Sequence, residues 1–469
     1  MGQMYMRELR ACRLLLLAVS LLPFSTIARA DLYVAAKAYE DNELTRAFEL
    51  YRELAELGHP EAQEVLAIMY VNGEGVARDN TLGYAWAKIV QEQGPRATAQ
   101  NIIDQLEPHL SETIRARAGA LLAQFGKEGL QKSLLPIEYP PGHQLPPSKC
   151  TMRIPVNPDD YFPREAIKRG ISGTVLVNAR VWGDGRAHVP LVEYGLPERI
   201  FDAAGRGVGR DSVYSPRVEN GESKPCTIRF KVKFSVHGAP PPGAQFKDNI
   251  DAIRKTAEAG DPRSQALYAH ALEGYSELNV EGDRSIRWFL KAAQAGVPAA
   301  QYKVGNALLR GYAVHEDETK ALIWLDKAAG AGNADAQIEL ANYHLRDMSD
   351  AAAVARAAAL LEPATAHRIE ARFYLLGLLA SSPHSAIRNP QRALDNADEW
   401  LAPFVDNPIA FEIRAAAQSA LGDFAAAQKN QAKAVGLAKK LGWNTTPQRE
   451  RLAAYEADKA WTGDLFAFY

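Results

Sequence analysis

Residues 203–216, AAGRGVGRDSVYSP, place three glycines at alternate positions and interleave them with Arg206 and Arg210. Those types could cradle a phosphate, because glycines let backbone N–H groups approach an anion and guanidinium groups add charge. A phosphate cradle normally follows a strand and opens a helix. Other chemistry is sparse. The ten histidines are scattered, none in H-E-x-x-H spacing and none beside paired cysteines. No G-x-S-x-G elbow and no loop ending in Gly-Lys-Ser/Thr occurs. The pair Asp159-Asp160 suits a turn or a helix cap better than an acid/base couple. The sequence therefore predicts no catalytic residue, no metal or cofactor site and no small-molecule ligand.

The elements that would position any site are bounded by the chain itself. It has 469 residues with 54 Lys and Arg against 56 Asp and Glu. That is the composition of globular domains, two or three of them. The start is different. Arg7, Arg10 and Arg13 precede the apolar run LLLLAVSLLPF, followed by Ala28-Arg29-Ala30. This layout predicts a signal peptide cut between Ala30 and Asp31, and export to the periplasm. The rival reading is an uncleaved segment that anchors the chain in the inner membrane, facing the periplasm. After cleavage Cys150 and Cys226 remain, and an oxidising compartment favours a disulfide between them over two buried thiols.

A period of 36 residues runs through AEAGDPRSQALYAHAL, AQAGVPAAQYKVGNAL and AGAGNADAQIELANYH. Gly260, Gly296 and Gly332 align, as do Gln265, Gln301 and Gln337. Helical patterns flank each glycine, so the unit is a helix hairpin that stacks into a solenoid. Gly58 and Gln63 repeat the spacing near the front. The segment NGEGV at 72–76, followed by Asp79, completes a pattern that resembles the Sel-one-like repeat family, which makes its G-x-G a turn. FEIRAAAQSALGDFAAAQKNQAKAVGLAKKLG, 411–442, resembles a tetratricopeptide hairpin. Both families imply protein-interaction scaffolds without catalytic residues.

Between Pro-rich segments at 134–148 and 239–243 the period falls to 2. CTIRFKVKFSV, 226–236, alternates strictly: Ile228, Phe230, Val232, Phe234 and Val236 against Thr227, Arg229, Lys231, Lys233 and Ser235. That is a half-buried strand. Segments 173–182 and 187–195 read as a hairpin through Gly183-Asp184-Gly185, with Pro190 marking an edge or bulge. Short helices are expected over 161–171 and 196–205. The residues Phe162-Pro163, Ala166, Gly170-Ile171, Gly173, Val175, Val177, Val181, Gly185, Asp202-Ala203-Ala204, Tyr214-Ser215-Pro216, Gly221, Val232 and Phe234 make this island similar to the TonB C-terminal domain. The resemblance places the glycines of 203–216 inside or just beyond a helix, which removes the phosphate reading and predicts a short, loosened helix there.

The fold expected is multidomain and mostly α, with two α-solenoid arrays flanking a small α+β TonB-C-terminal-like domain. The boundaries are signal peptide 1–30, Sel-one-like repeats 31–133, linker 134–149, TonB-like domain 150–237, linker 238–246, Sel-one-like repeats 247–348 and a tetratricopeptide-like region 349–469. The resemblance implies binding of an extended peptide by strand addition. Thr227, Arg229, Lys231 and Lys233 mark the candidate partner-binding edge strand. Residues 150–237 carry 14 basic and 10 acidic side chains, a balance of +4. That surplus suits an acidic partner, or merely solvates the strand's outer face. The expected role is a non-enzymatic periplasmic adaptor whose partners are other envelope proteins, including an outer-membrane receptor peptide, and not nucleic acid. The alternative is an anchored energy transducer of the TonB type, or its regulator, for receptor-dependent transport.

Overall fold

The computed structural model describes residues 31–140, 150–181, 185–187, 190–197, 199–219, 222–224, 226–237, 247–275 and 284–466. The expected signal segment with Ala30, the Gly183-Asp184 turn, the linker 238–246 and part of the linker 134–149 lie outside those residues.

The first array contains α1 (Leu32–Glu40), α2 (Leu44–Glu56), α3 (Pro60–Asn72), α4 (Asn80–Gln93), α5 (Ala97–Leu106), α6 (Glu112–Phe125) and α7 (Lys127–Ser133). The central module holds α8 (Arg164–Lys168) and α9 (Asp202–Asp211). The second array follows as α10 (Lys247–Glu258), α11 (Pro262–Gly274), α12 (Ser285–Gln294), α13 (Pro298–Arg310), α14 (Glu318–Gly330) and α15 (Ala334–His344). It continues into α16 (Ala351–Ala364), α17 (Ile369–Ser381), α18 (Pro390–Trp400), α19 (Pro408–Ala420), α20 (Phe424–Lys440) and α21 (Thr446–Glu456).

The period-36 positions have distinct jobs. Gly58, Gly260, Gly296 and Gly332 take φ values of 85°, 102°, 88° and 83°. That left-handed conformation ends one helix and turns the chain toward the next. Five residues later the repeated glutamine reaches back. Gln63, Gln265, Gln301 and Gln337 each donate from Nε2 to the carbonyl eight residues earlier, at 3.0, 3.3, 3.2 and 3.1 Å. Those carbonyls also accept the N–H of the turn glycine. Each hairpin is thus pinned across its turn by one buried side chain.

The two arrays are not separate arms. A single apolar core runs from Ala35, Leu54 and Trp86 of the first to Phe289, Val304 and Trp324 of the second. Leu32 N–H donates to the Ala295 carbonyl at 3.1 Å. Gln294 Nε2 donates to the Leu57 carbonyl at 3.0 Å. The beginning of the expected linker takes part. Proline stops α7, and the carbonyls freed beyond it accept from the second array: Leu134 from Trp324 Nε1 at 3.1 Å, Leu135 from Lys320 Nζ at 3.1 Å. Residues 137–139 then pair with 313–315, and Arg284 and Arg287 bind Glu138. Residues 134–139 therefore strap one array to the other. Helices α15 to α19 share a second core around Leu376, Phe373 and Ile413, and α19 and α20 form the expected antiparallel hairpin, turning at Gly422 with φ 85°.

In the central module β2 (Gly173–Val181) lies between β3 (Leu191–Leu196) and β7 (Cys226–Phe234), both antiparallel to it. Two further pairs form, β1 (Thr151–Ile154) with β4 (Val213–Ser215), and β5 (Arg217–Glu219) with β6 (Glu222–Lys224). Val175, Val177, Ala179, Ile228, Val232 and Phe234 face α8 and α9 in the module's own core. Phe201 stacks on Phe234 with ring centroids 4.9 Å apart. Cys150 and Cys226 are disulfide-bonded, with Cα atoms 5.9 Å apart. Pro190 directly precedes edge strand β3, which carries a bulge: Leu176 faces Tyr194 but Val177 faces Val192, leaving Glu193 as the extra residue.

The helix expected over 196–205 occupies Asp202–Asp211 instead, with the three glycines inside it. Close packing is the reason. A Cβ on Gly205 would lie 2.6 Å from Val175 Cγ1, on Gly207 2.6 Å from Tyr161 Cδ1, and on Gly209 2.9 Å from Pro190 Cβ. The glycines flatten the helix so that sheet, ring and proline can press against it. Glycine's cost to the helix is offset by contacts that no larger residue would permit.

Candidate functional site

The second face of the sheet decides what the module can do. It presents Thr174, Leu176, Asn178 and Arg180 from β2, and Thr227, Arg229, Lys231 and Lys233 from β7. Alternation alone would give this face to water. In the structure β2 is buried along almost its whole length, because this face lies across α11 and α13. Residues 300–308 of α13 are all buried, although Lys303, Asn306 and Arg310 form a polar stripe of i, i+3, i+7 spacing.

The stripe meets the strand through a four-membered ion cluster. Arg229 binds Glu193 at 2.9 Å and Glu273 of α11 at 3.0 Å. Lys303 binds the same two carboxylates at 2.6 and 3.0 Å. The bulge in β3 is what turns Glu193 toward this face. Burial pushes the Glu193 carboxyl up, but Lys303 and Arg229 outweigh burial and hold it at about 2. Glu273 is likewise held below the usual range: Arg229 and Lys303 again overcome burial. Burial works against the Arg229 guanidinium, yet Glu273 and Glu193 hold its pKa well above its ordinary value. His270 packs edge-on against Tyr194 and Phe289; burial, then Lys303, lower it to about 3. It stays neutral and adds no third cation.

Two clefts flank the cluster. One, of about 400 Å³, opens beside β7 toward α11, α12 and α13; Phe230, Lys231, Ile286, Phe289 and Tyr312 are among its walls. The other, of about 200 Å³, lies at the opposite end of the same face, between Asn178, Arg180 and Thr227 of the sheet and α13, α15 and α17.

The residues singled out in sequence part company here. Arg229 is committed to an intramolecular contact, neither solvating the strand nor offered to a partner. Thr227 lines the smaller cleft. Lys231 and Lys233 are exposed. β7 is an edge of the three-stranded sheet. The clustered residues Glu193, Glu273 and Lys303 were not foreseen. Their sequence signal is the polar stripe of α13, which matches the polar stripe of β7 but looks like any solvated helix face. Among the described residues no group of three or more His, Cys, Asp or Glu could hold a metal ion, and no helix is long and apolar enough to cross a membrane.

Comparison with known proteins agrees with this architecture. Residues 158–236 match the family model described as Gram-negative bacterial TonB protein C-terminal. Residues 41–59, 60–89, 262–297 and 298–333 match the Sel1 repeat. No curated protein matches significantly. Similar solved structures include a Sel1 repeat protein from Oxalobacter formigenes, at 15% identity over 80% of this chain and all of that one, with a TM-score of 0.29. Another is c5321, a protective antigen of uropathogenic Escherichia coli with an SLR fold, at 17% identity over 91% of this chain and 79% of that one, with a TM-score of 0.32. The chain carries a TonB C-terminal module flanked by Sel1 repeats, and its architecture is mostly helical, with solenoid arrays on either side of a small α+β domain.

Proposed function

We propose that this protein is a non-enzymatic interaction scaffold of the Gram-negative periplasm, and that the outer edge of β7 receives an extended segment of another envelope protein. The observation that carries the reading is the combination at β7. It is an edge strand, and a cleft of about 400 Å³, walled by the ion cluster and by Ile286, Phe289 and Tyr312, runs beside it. A strand added there would gain main-chain hydrogen bonds from β7 and place alternate side chains against Phe289 and Tyr312. Lys231 and Lys233, exposed on the same strand, favour acidic residues in that segment. The solenoid supports this arrangement by holding the rest of the polar face and forming the far wall of the cleft.

Site-specific photo-crosslinking in the periplasm tests the reading. A crosslinker at Lys233 should capture a discrete envelope protein, and capture should be lost when Tyr312 is replaced by Asp. Absence of any discrete adduct from both Lys231 and Lys233 would sink it.

A further inference from the structure

Residues 457–466 follow α21 without forming a helix or a strand, yet Leu465 and Phe466 are buried in the second core. The Phe466 ring meets Tyr374 of α17 edge-on, with centroids 5.3 Å apart. It enters a notch that exists because α17 has Gly377 there: a Cβ at that position would lie 2.1 Å from Phe466 Cε2. Glycine inside a helix costs stability relative to alanine, and here the glycine admits the ring. Ser381, one turn further along α17, holds the main chain. Gly463 N–H donates to the Ser381 carbonyl at 2.7 Å, and Ser381 Oγ donates to the Gly463 carbonyl at 2.8 Å. Gly463 has φ 145°, a conformation that side chains rarely adopt. Phe466 N–H donates to Asp464 Oδ1 at 2.7 Å, closing the turn that aims the ring inward. Asp464 also attracts the Arg180 guanidinium of β2, which sets the segment beside the TonB-like module.

An aromatic anchor in a notch, with the main chain held by a fixed donor and acceptor, is how a groove recognises an extended peptide. We propose that the α17 notch is a peptide-binding site of the solenoid, that residues 461–466 occupy it in cis, and that its ligand in trans is an extended segment of another protein with the order glycine, acidic, apolar, aromatic. The site uses no residue of β7 and does not depend on strand addition there. The cis segment is held by a small margin. Asp458, Lys459, Ala460 and Thr462 are exposed. Trp461 Nε1 is buried and meets no acceptor among the described residues, a cost that seating carries. Burying Leu465 and Phe466 gains free energy of the same order as ordering the segment loses. A partner segment that also satisfies the indole, or replaces it, can therefore displace the cis copy, and the cis copy sets the affinity a partner must exceed.

Fluorescence anisotropy on the full chain tests this with a labelled, end-capped peptide of residues 461–466, WTGDLF. The wild-type chain should bind it weakly, because its own copy fills the seat. Phe466→Ala vacates the notch and should bind the peptide at least about tenfold tighter than wild type. A peptide with alanine in place of its phenylalanine should lose at least about tenfold of that affinity. Gly377→Ala also expels the cis segment, but its Cβ fills the notch, so this variant should bind no peptide. Hydrogen exchange over residues 457–466 should rise in both variants, which separates release of the segment from opening of the seat. If Phe466→Ala does not fold, a protease site placed over Asp458–Ala460 severs the segment from the folded wild-type chain, and the peptide should then exchange in. Binding by Phe466→Ala or the severed chain no tighter than by wild type would overturn the assignment, as would undiminished binding by Gly377→Ala. A concentration-dependent wild-type dimer that Phe466→Ala abolishes would also overturn it, because the segment would then pass between copies of this chain.

Discussion

The glutamine at each hairpin turn is the smallest unit of the architecture. Its amide is buried and donates to a carbonyl that a helix end leaves without an intrahelical partner. Replacing Gln301 by Ala removes one such bond and leaves a small void, which should cost about 1–2 kcal/mol; urea unfolding with an unchanged slope would show it. Arg229 is a larger case. Losing it leaves Glu193 and Glu273 buried with Lys303 as their one close cation in this cluster, and breaking a buried charge pair costs about 3–5 kcal/mol. Arg229→Met should therefore lower stability by that amount, and the Arg229→Met, Glu273→Gln double variant by less, because it removes one charge of each sign. The cluster also sets an acid limit. Glu193 titrates near 2 when folded and about 4.3 when unfolded. Its contribution is fully present above about pH 4.3 and disappears as pH falls toward 2. Unfolding midpoints measured from pH 7 down to 2 should fall in that window, and the fall should be shallower in Glu193→Gln.

Among the elements, α9 separates what sequence shows from what only packing shows. The hairpins, the turn glycines and strand β7 are visible in sequence because each writes a period or a fixed residue at a fixed interval. The position of α9 is not, because its glycines read as helix breakers until Val175, Tyr161 and Pro190 are known to press on them. The same holds for Arg229: alternation places it on the face opposite the core, but cannot say that a helix 70 residues later covers that face. Gly205→Ala tests the packing account directly. On propensity it should stabilise α9 by about 1 kcal/mol. With Val175 Cγ1 at 2.6 Å it should instead destabilise the module by roughly 1–3 kcal/mol, seen as a lower thermal midpoint. The disulfide between Cys150 and Cys226 acts at the same scale. It ties the residue preceding β1 to the first residue of β7 across 76 positions, and loop closure of that length is worth about 4 kcal/mol. Denaturant midpoints with and without reductant report it.

At the scale of the whole molecule the TonB-like module is an insertion into one helical body. A repeat period read along the chain shows which helices form hairpins, but it cannot show that a hairpin from before an insertion stacks on one from after it. The contact is set by groups that carry no such period: Trp324 reaching the Leu134 carbonyl, Gln294 reaching Leu57, and residues 137–139 pairing with 313–315. The core they enclose is continuous from α1 to α14, so neither array can bury its apolar surface without the other. Co-expression of residues 31–140 with residues 247–469 as two separate chains should therefore give a complex that co-elutes on size exclusion, while either fragment alone should aggregate or bind a hydrophobic dye. Trp324→Ala would open a large void in the shared core and strand the Leu134 carbonyl, a loss of about 3–5 kcal/mol. That variant should dissociate the co-expressed pair but leave the intact chain monodisperse, because in the intact chain the covalent connection keeps the arrays at high effective concentration. Independent elution of the two wild-type fragments, each well folded, would show instead that the module separates two self-sufficient arrays.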